Sequence, residues 1–239
     1  MRSSCYSSLR ILALGLILLQ VFVLPAFAAP TEREQKRLDR RGEKLAASVR
    51  DIQSLERSQI PADIMRQAKA VIVLKQYEAG VIFGASGGFG IVAKRDPEGY
   101  WGAPAWLKTG EISGGLQLGA QKLNVVLLVV KDRALEMLKK EKFQLGVDAN
   151  IVRGPTGAYS ESSIGQDADM LAYTAFEGYY AGASFEGGFL LPDNKANESS
   201  YGQKFEVTHI IEAPDLDTPD SLIELFELLD SIEVTGLER

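Results

Sequence analysis

Cysteine is almost absent: the chain holds one, Cys5, inside an N-terminal apolar stretch. That excludes a disulfide framework and any zinc site built on thiolates. Histidine is equally scarce. His209 is the only one, so a Ser-His-Asp triad would have to recruit that single ring from EVTHII, a run of β-like composition. No G-x-S-x-G elbow supports such a triad. Carboxylate pairs such as Asp167 and Asp169 occur, as in any acidic chain, but QDAD lacks the spacing of a calcium loop. The expectation is a non-enzymatic protein without metal or cofactor.

A general excess of basic charge is also missing. The formal net charge is −6, and the acidity is concentrated at one end: residues 205–239 carry 1 basic and 10 acidic side chains, whereas residues 29–60 carry 8 and 6. A nucleic-acid footprint is therefore not expected, although the N-terminal third retains a local cationic character.

Long hydrophobic runs are limited to one, ILALGLILLQVFVL at 11–24. It is short for a membrane span, which needs about 20 residues. Arg2 and Arg10 precede it and Ala26-Phe27-Ala28 follows, the pattern of a signal peptide cleaved after residue 28. An uncleaved anchor is the alternative. Cleavage would export the chain, to a periplasm or to the medium, with a net charge of −8 once Arg2 and Arg10 are lost.

What remains is rich in periodic signal. In residues 31–58, Leu38, Leu45, Val49, Ile52 and Leu55 share one helical stripe, with Arg33, Lys36, Arg40 and Lys44 opposite. Gly42 weakens that helix by about 1 kcal/mol relative to Ala. The stripe suits packing on the chain's own domain or, alternatively, contact with lipid. A short helix, PADIMRQA, follows. The period then shifts towards two, predicting strands near 70–75, 79–85, 87–94, 100–107, 112–120, 124–130, 147–152, 170–176 and 181–190. A helix at 131–143 interrupts them, and a turn falls at Asp96-Pro97-Glu98-Gly99. The tail TPDSLIELFELLDSIEV reads as a final helix with Thr218 as cap, Pro219 at its first position and a second capping register at Ser221 and Glu224. Its apolar face, Leu222, Leu225, Phe226, Leu229 and Ile232, would dock within the chain or bind a protein partner.

GASGGFG, at 84–90, invites a nucleotide-loop reading, but its spacing matches neither G-x-G-x-x-G nor a P-loop, and strand-like IVAK follows. Its glycines alternate instead. Gly80, Gly84, Gly88 and Gly90 are even-numbered, while Val81, Phe83, Ala85, Phe89 and Ile91 are odd, so a strand here has one bare face. A break at Ser86-Gly87 would make the stretch a hairpin. Ala181, Ala183, Phe185 and Phe189 alternate in the same way with Gly182, Ser184 and Gly188. Such glycines mark curvature or the close approach of another backbone. The expected fold is α+β: a strongly curled, mostly antiparallel, barrel-like sheet with N-terminal, inserted and C-terminal helices. The expected divisions are a signal peptide at 1–28, an amphipathic helix at 29–59, the α+β domain at 60–204 and an acidic tail with its helix at 205–239.

Several segments together resemble one family. They are IPADIMRQAKAVIVL, AGVIFGASGGFGIVAKR, WGAPAWLKTGEISGGLQLGAQ, VVLLV, LGVDANIVRGPTG and YYAGASFEGGFLLPDNKANESSYG. In order and content they are similar to the SYLF family, also called the Ysc84-type domain, from about residue 60 to residue 202. The resemblance implies binding of anionic phospholipids, with phosphoinositide-type head groups in the family. In fungal and animal members it also implies actin and membrane-remodelling partners. It places lipid contact in the N-terminal part of the domain, where Arg66, Lys69 and Lys75 are the matching positions and the basic helix before them gives support. A structural or protein-interaction role without lipid remains the alternative.

Overall fold

A computed structural model describes residues 30–80, 84–113, 119–140, 142–145, 147–155, 168–177 and 188–234. The expected signal peptide, Asp167 and the alternating stretch at 181–187 lie outside these residues.

The first helix, α1 (Glu32–Ser54), opens with a capping box in which Thr31 and Glu34 satisfy each other's backbone amides. Leu38, Leu45, Val49 and Ile52 are at most 1% exposed. The apolar stripe therefore packs on the chain's own domain, and each such side chain contributes about 1.5–3 kcal/mol over exposure. Helix α2 (Ala62–Gln67) leads into β1 (Ala70–Gly80), followed by β2 (Gly84–Lys94), β3 (Ala105–Ser113) and β4 (Gly119–Val129). Then come α3 (Asp132–Leu138), β5 (Phe143–Gln144), β6 (Ile151–Arg153), β7 (Met170–Glu177) and β8 (Phe189–Pro192). Helices α4 (Asn194–Tyr201), α5 (Val207–Glu212) and α6 (Ile223–Val234) end the described chain.

The eight strands form one curled sheet in the order β5-β8-β3-β2-β1-β4-β7-β6, antiparallel except for the β6–β7 pair. Helices cover both faces. Val71, Val73, Ile91, Trp106, Val126 and Leu128 point towards α1 and α6, while Ile72, Leu74, Leu107, Val125 and Leu127 point towards α3 and α5. Burial on two faces explains why AVIVL and VVLLVV are continuous apolar runs rather than alternating ones.

The expected architecture is thus present, with several boundaries displaced. The strand expected to stop at residue 75 runs on to Gly80. GASGGFG is the uninterrupted first part of β2, with no break at Ser86-Gly87. A Cβ on Gly88 would lie 2.9 Å from both Gln76 Cα and Thr109 Cγ2, and closer still to the Lys75 carbonyl. One on Gly90 would strike Leu74 Cδ2 at 2.5 Å and the Val73 carbonyl. The bare face is filled by its neighbours: the Gln76 amide reaches over Gly88 to the Thr109 hydroxyl at 2.8 Å. The helix expected over 131–143 ends at Leu138, and Phe143 belongs to a strand. His209 lies in helix α5, not in a strand, and stacks on Phe205 with ring centroids 4.5 Å apart.

The tail helix docks in cis: Leu222, Leu225 and Leu229 are fully buried among α1 and α2. Its entry differs from the expected caps. Asp220–Leu222 form a 3-10 turn after Pro219, and the Ser221 hydroxyl is buried without a partner among the described residues.

Candidate functional site

A groove of about 770 Å³ opens at the end of the sheet where β1 begins and β2 finishes. The α2–β1 junction supplies Arg66 and Lys69, the end of β2 supplies Lys94 and Arg95, and the chain entering β3 supplies Trp101. The start of α3 contributes Asp132, and the segment after α5 forms the far wall. Two of the three basic residues singled out in the sequence, Arg66 and Lys69, therefore meet at one site.

Lys75 does not join them, and the lipid contact expected of it is corrected. It is 6% exposed and donates to Asn124 Oδ1 at 2.7 Å; that oxygen also accepts from Ser48, and the Asn124 amide donates to Asp51 at 2.9 Å. The reason is parity. Residue 75 follows Val71 and Val73 on the face that α1 covers, and β1 continues past it.

Each groove cation is already engaged. Arg66, in the last turn of α2, donates to the Glu233 carbonyl at the end of α6 at 2.6 Å and pairs with Asp63. A guanidinium at a helix C-terminus satisfies a carbonyl that has no helical donor. Lys69 reaches Asp132 at 2.6 Å, and Lys94 lies 3.6 Å from Glu212. Glu212 is also 3.4 Å from Lys139, whose hydrogen bond holds its carboxyl below the ordinary carboxylate range. Arg95 is the structural member: it stacks 3.7 Å from the Trp101 ring centroid, donates to the Ala68 carbonyl at 3.0 Å and pairs with Glu233. It ties α2, α6 and the β2–β3 turn into one wall.

Exposed pairs such as Lys69–Asp132 contribute only about 0–1 kcal/mol, so an incoming phosphate can replace the carboxylate at little cost. On the same turn as Glu98 and Trp101 stands Tyr100, 73% exposed. Asp96 closes this turn by accepting from the Tyr100 amide at 2.8 Å. Lys94, Arg95 and Trp101 carried no site signal in the sequence; the DPEG turn placed a hairpin there but gave no sign of which helices it meets. Asp169, one of the carboxylates noted in the sequence, accepts from Arg133 and from the Asn150 amide and serves as a structural tie. Among the described residues no cluster of His, Cys, Asp or Glu is suited to a metal ion, and no helix is long and apolar enough to cross a membrane.

Comparison with known proteins follows the same line. The family model Ysc84, described as Las17-binding protein actin regulator, matches residues 110–232. SH3 domain-containing YSC84-like protein 1 of Bos taurus is 32% identical over 175 residues, 72% of this chain and 51% of that protein. Its Homo sapiens counterpart is 31% identical over the same length and share. LAS seventeen-binding protein 3 of Saccharomyces cerevisiae is 26% identical over 209 residues, 84% of this chain and 45% of that protein. The chain spans about half the length of the curated relatives it matches. No solved structure matches. With the family model covering just over half of its residues, the chain belongs to the Ysc84 family.

Proposed function

We propose that this chain is a non-enzymatic module that binds anionic phospholipid surfaces through the groove at the β1–β2 end of its sheet, acting as an exported protein. One observation carries the reading: Arg66, Lys69 and Lys94 converge on one groove, and the exposed Tyr100 stands on the turn that supplies its Glu98 and Trp101. Cations beside an exposed aromatic suit a membrane interface, where the ring sits at head-group depth and each basic residue contributes about 1 kcal/mol. The carboxylates partnering these cations lower that attraction, so the binding is weak and salt-sensitive. Flotation with neutral and anionic vesicles tests it: the chain should float with anionic vesicles at low salt and be released at moderate salt. Equal flotation with both, or none with either, overturns the reading.

The relatives' names speak of a Las17-binding protein and an actin regulator, which supports a protein-partner role as the second reading. The apolar face of α6 cannot serve it as folded, because Leu225 and Leu229 are covered. A partner at this helix would have to use its acidic outer face, Glu224 and Glu227.

A further inference from the structure

The groove leaves carboxylates, not cations, without partners. Arg66, Lys69, Lys94 and Arg95 pair with Asp63, Asp132, Glu212 and Glu233 respectively. Glu98, on the β2–β3 turn, and Asp217, beyond α5, line the same groove, are exposed, and have no ion pair among the described residues. The indole N–H of Trp101, another lining residue, is buried and has no acceptor among the described residues. A ligand that completes this site brings a cation for these carboxylates, together with an anion that takes over Lys69 or Lys94 from its present partner.

We propose that the groove takes a head group bearing an ammonium as well as a phosphate, of the phosphoethanolamine or phosphoserine kind. The inference rests on the lipid-binding reading and names the head-group class of that site. The phosphate displaces Asp132 from Lys69 or Glu212 from Lys94, exchanging one exposed ion pair for another. The ammonium settles between Glu98 and Asp217. A head group with phosphate alone makes the first exchange but meets the charges of Glu98 and Asp217, and that of Asp96, which lines the groove while closing its own turn. A groove of this size admits either group, so the discrimination is electrostatic rather than steric.

The test compares, on the full chain, vesicles of matched net head-group charge and soluble phosphates with and without an ammonium. Flotation uses phosphatidylcholine vesicles doped equally with phosphatidylserine or with phosphatidylglycerol; calorimetry uses O-phosphoethanolamine and glycerol 3-phosphate. Each ammonium-bearing probe should bind about fivefold to tenfold more tightly than its counterpart. The variant Glu98→Gln with Asp217→Asn, at two exposed positions, should abolish that preference and leave phosphatidylglycerol binding unreduced. If both vesicle types bind and neither is preferred, the head-group inference fails while the lipid reading stands. If O-phosphoethanolamine binds with the stated preference but no vesicle does, the lipid reading fails and the site serves a free aminophosphate. A preference that survives the double variant overturns the assignment to Glu98 and Asp217.

Discussion

At the scale of the residue, Gly88 and Gly90 show how a sequence pattern acquires a physical cause. Their alternation was legible as a bare strand face, but what fills that face was not: Leu74 and the Gln76–Thr109 hydrogen bond arrive from neighbouring strands. Gly88→Val and Gly90→Val should each lower stability by about 1–3 kcal/mol or more, because the added atoms meet main chain that cannot move aside. Urea denaturation reads this directly, and an unchanged midpoint would contradict it. Lys75 teaches the converse. Its charge suggested a surface, yet strand parity carried it under α1, and only the register with Asn124 reveals that. Asp193 offers a pH test. Burial pushes its carboxyl up, but the Arg41 hydrogen bond and the nearby Arg41 and Lys108 charges hold it below the ordinary 3.8. Its contribution is therefore full above that value and disappears as pH falls through the depressed one. Asp193→Asn keeps a good helix cap for Ala196 but leaves Arg41, 12% exposed, without its counter-ion. The variant should lose about 3 kcal/mol at pH 7 and progressively less as the pH is lowered through the depressed value; a loss that does not change with pH as the fold is acidified would show that the charge is not the cause.

Among the elements, α1 was the most legible and α4 the least. The 3.6-residue stripe of α1 marked both its existence and its apolar side, which the fold buries on the domain rather than leaving for lipid, whereas Gly42 looked like a defect. It is a contact: a Cβ there would sit 2.8 Å from the Ser221 carbonyl carbon and closer to its oxygen, where the 3-10 turn before α6 crosses α1. Gly42→Ala should consequently lower the melting temperature despite the better helix propensity of alanine. A rise, as expected of an exposed helical glycine, would contradict this packing. Helix α4, NKANESSY, is too polar to show an apolar stripe. Its signal lay in its ends, Asp193 capping the first turn and Gly202 in the left-handed conformation at φ 73° closing the last. Helix α5 was misread because EVTHII is β-rich in composition; burial of Val207, Ile210 and Ile211 against the sheet decides its helical form.

The whole molecule places at one end of a curled sheet what the sequence kept apart. Arg66 and Lys69 were visible as basic residues of a resemblance, but Lys94, Trp101, Asp132 and Asp217 join them only through the antiparallel return of β2 and the docking of the tail. The acidic tail, whose composition counted against a nucleic-acid footprint, is partly the wall of the groove. The central claim is that this groove, rather than the overall charge, faces the membrane. Lys69→Glu with Lys94→Glu and the matched pair Lys36→Glu with Lys195→Glu, on α1 and α4 outside the groove, change net charge equally. Flotation of both variants with phosphatidylserine-doped vesicles at low salt is the most direct test. The account predicts that the groove pair weakens binding more than about tenfold, from about 1 kcal/mol per basic residue and its reversal, while the second pair changes it less than about threefold. Equal weakening by the two pairs, or none by the groove pair, would contradict it.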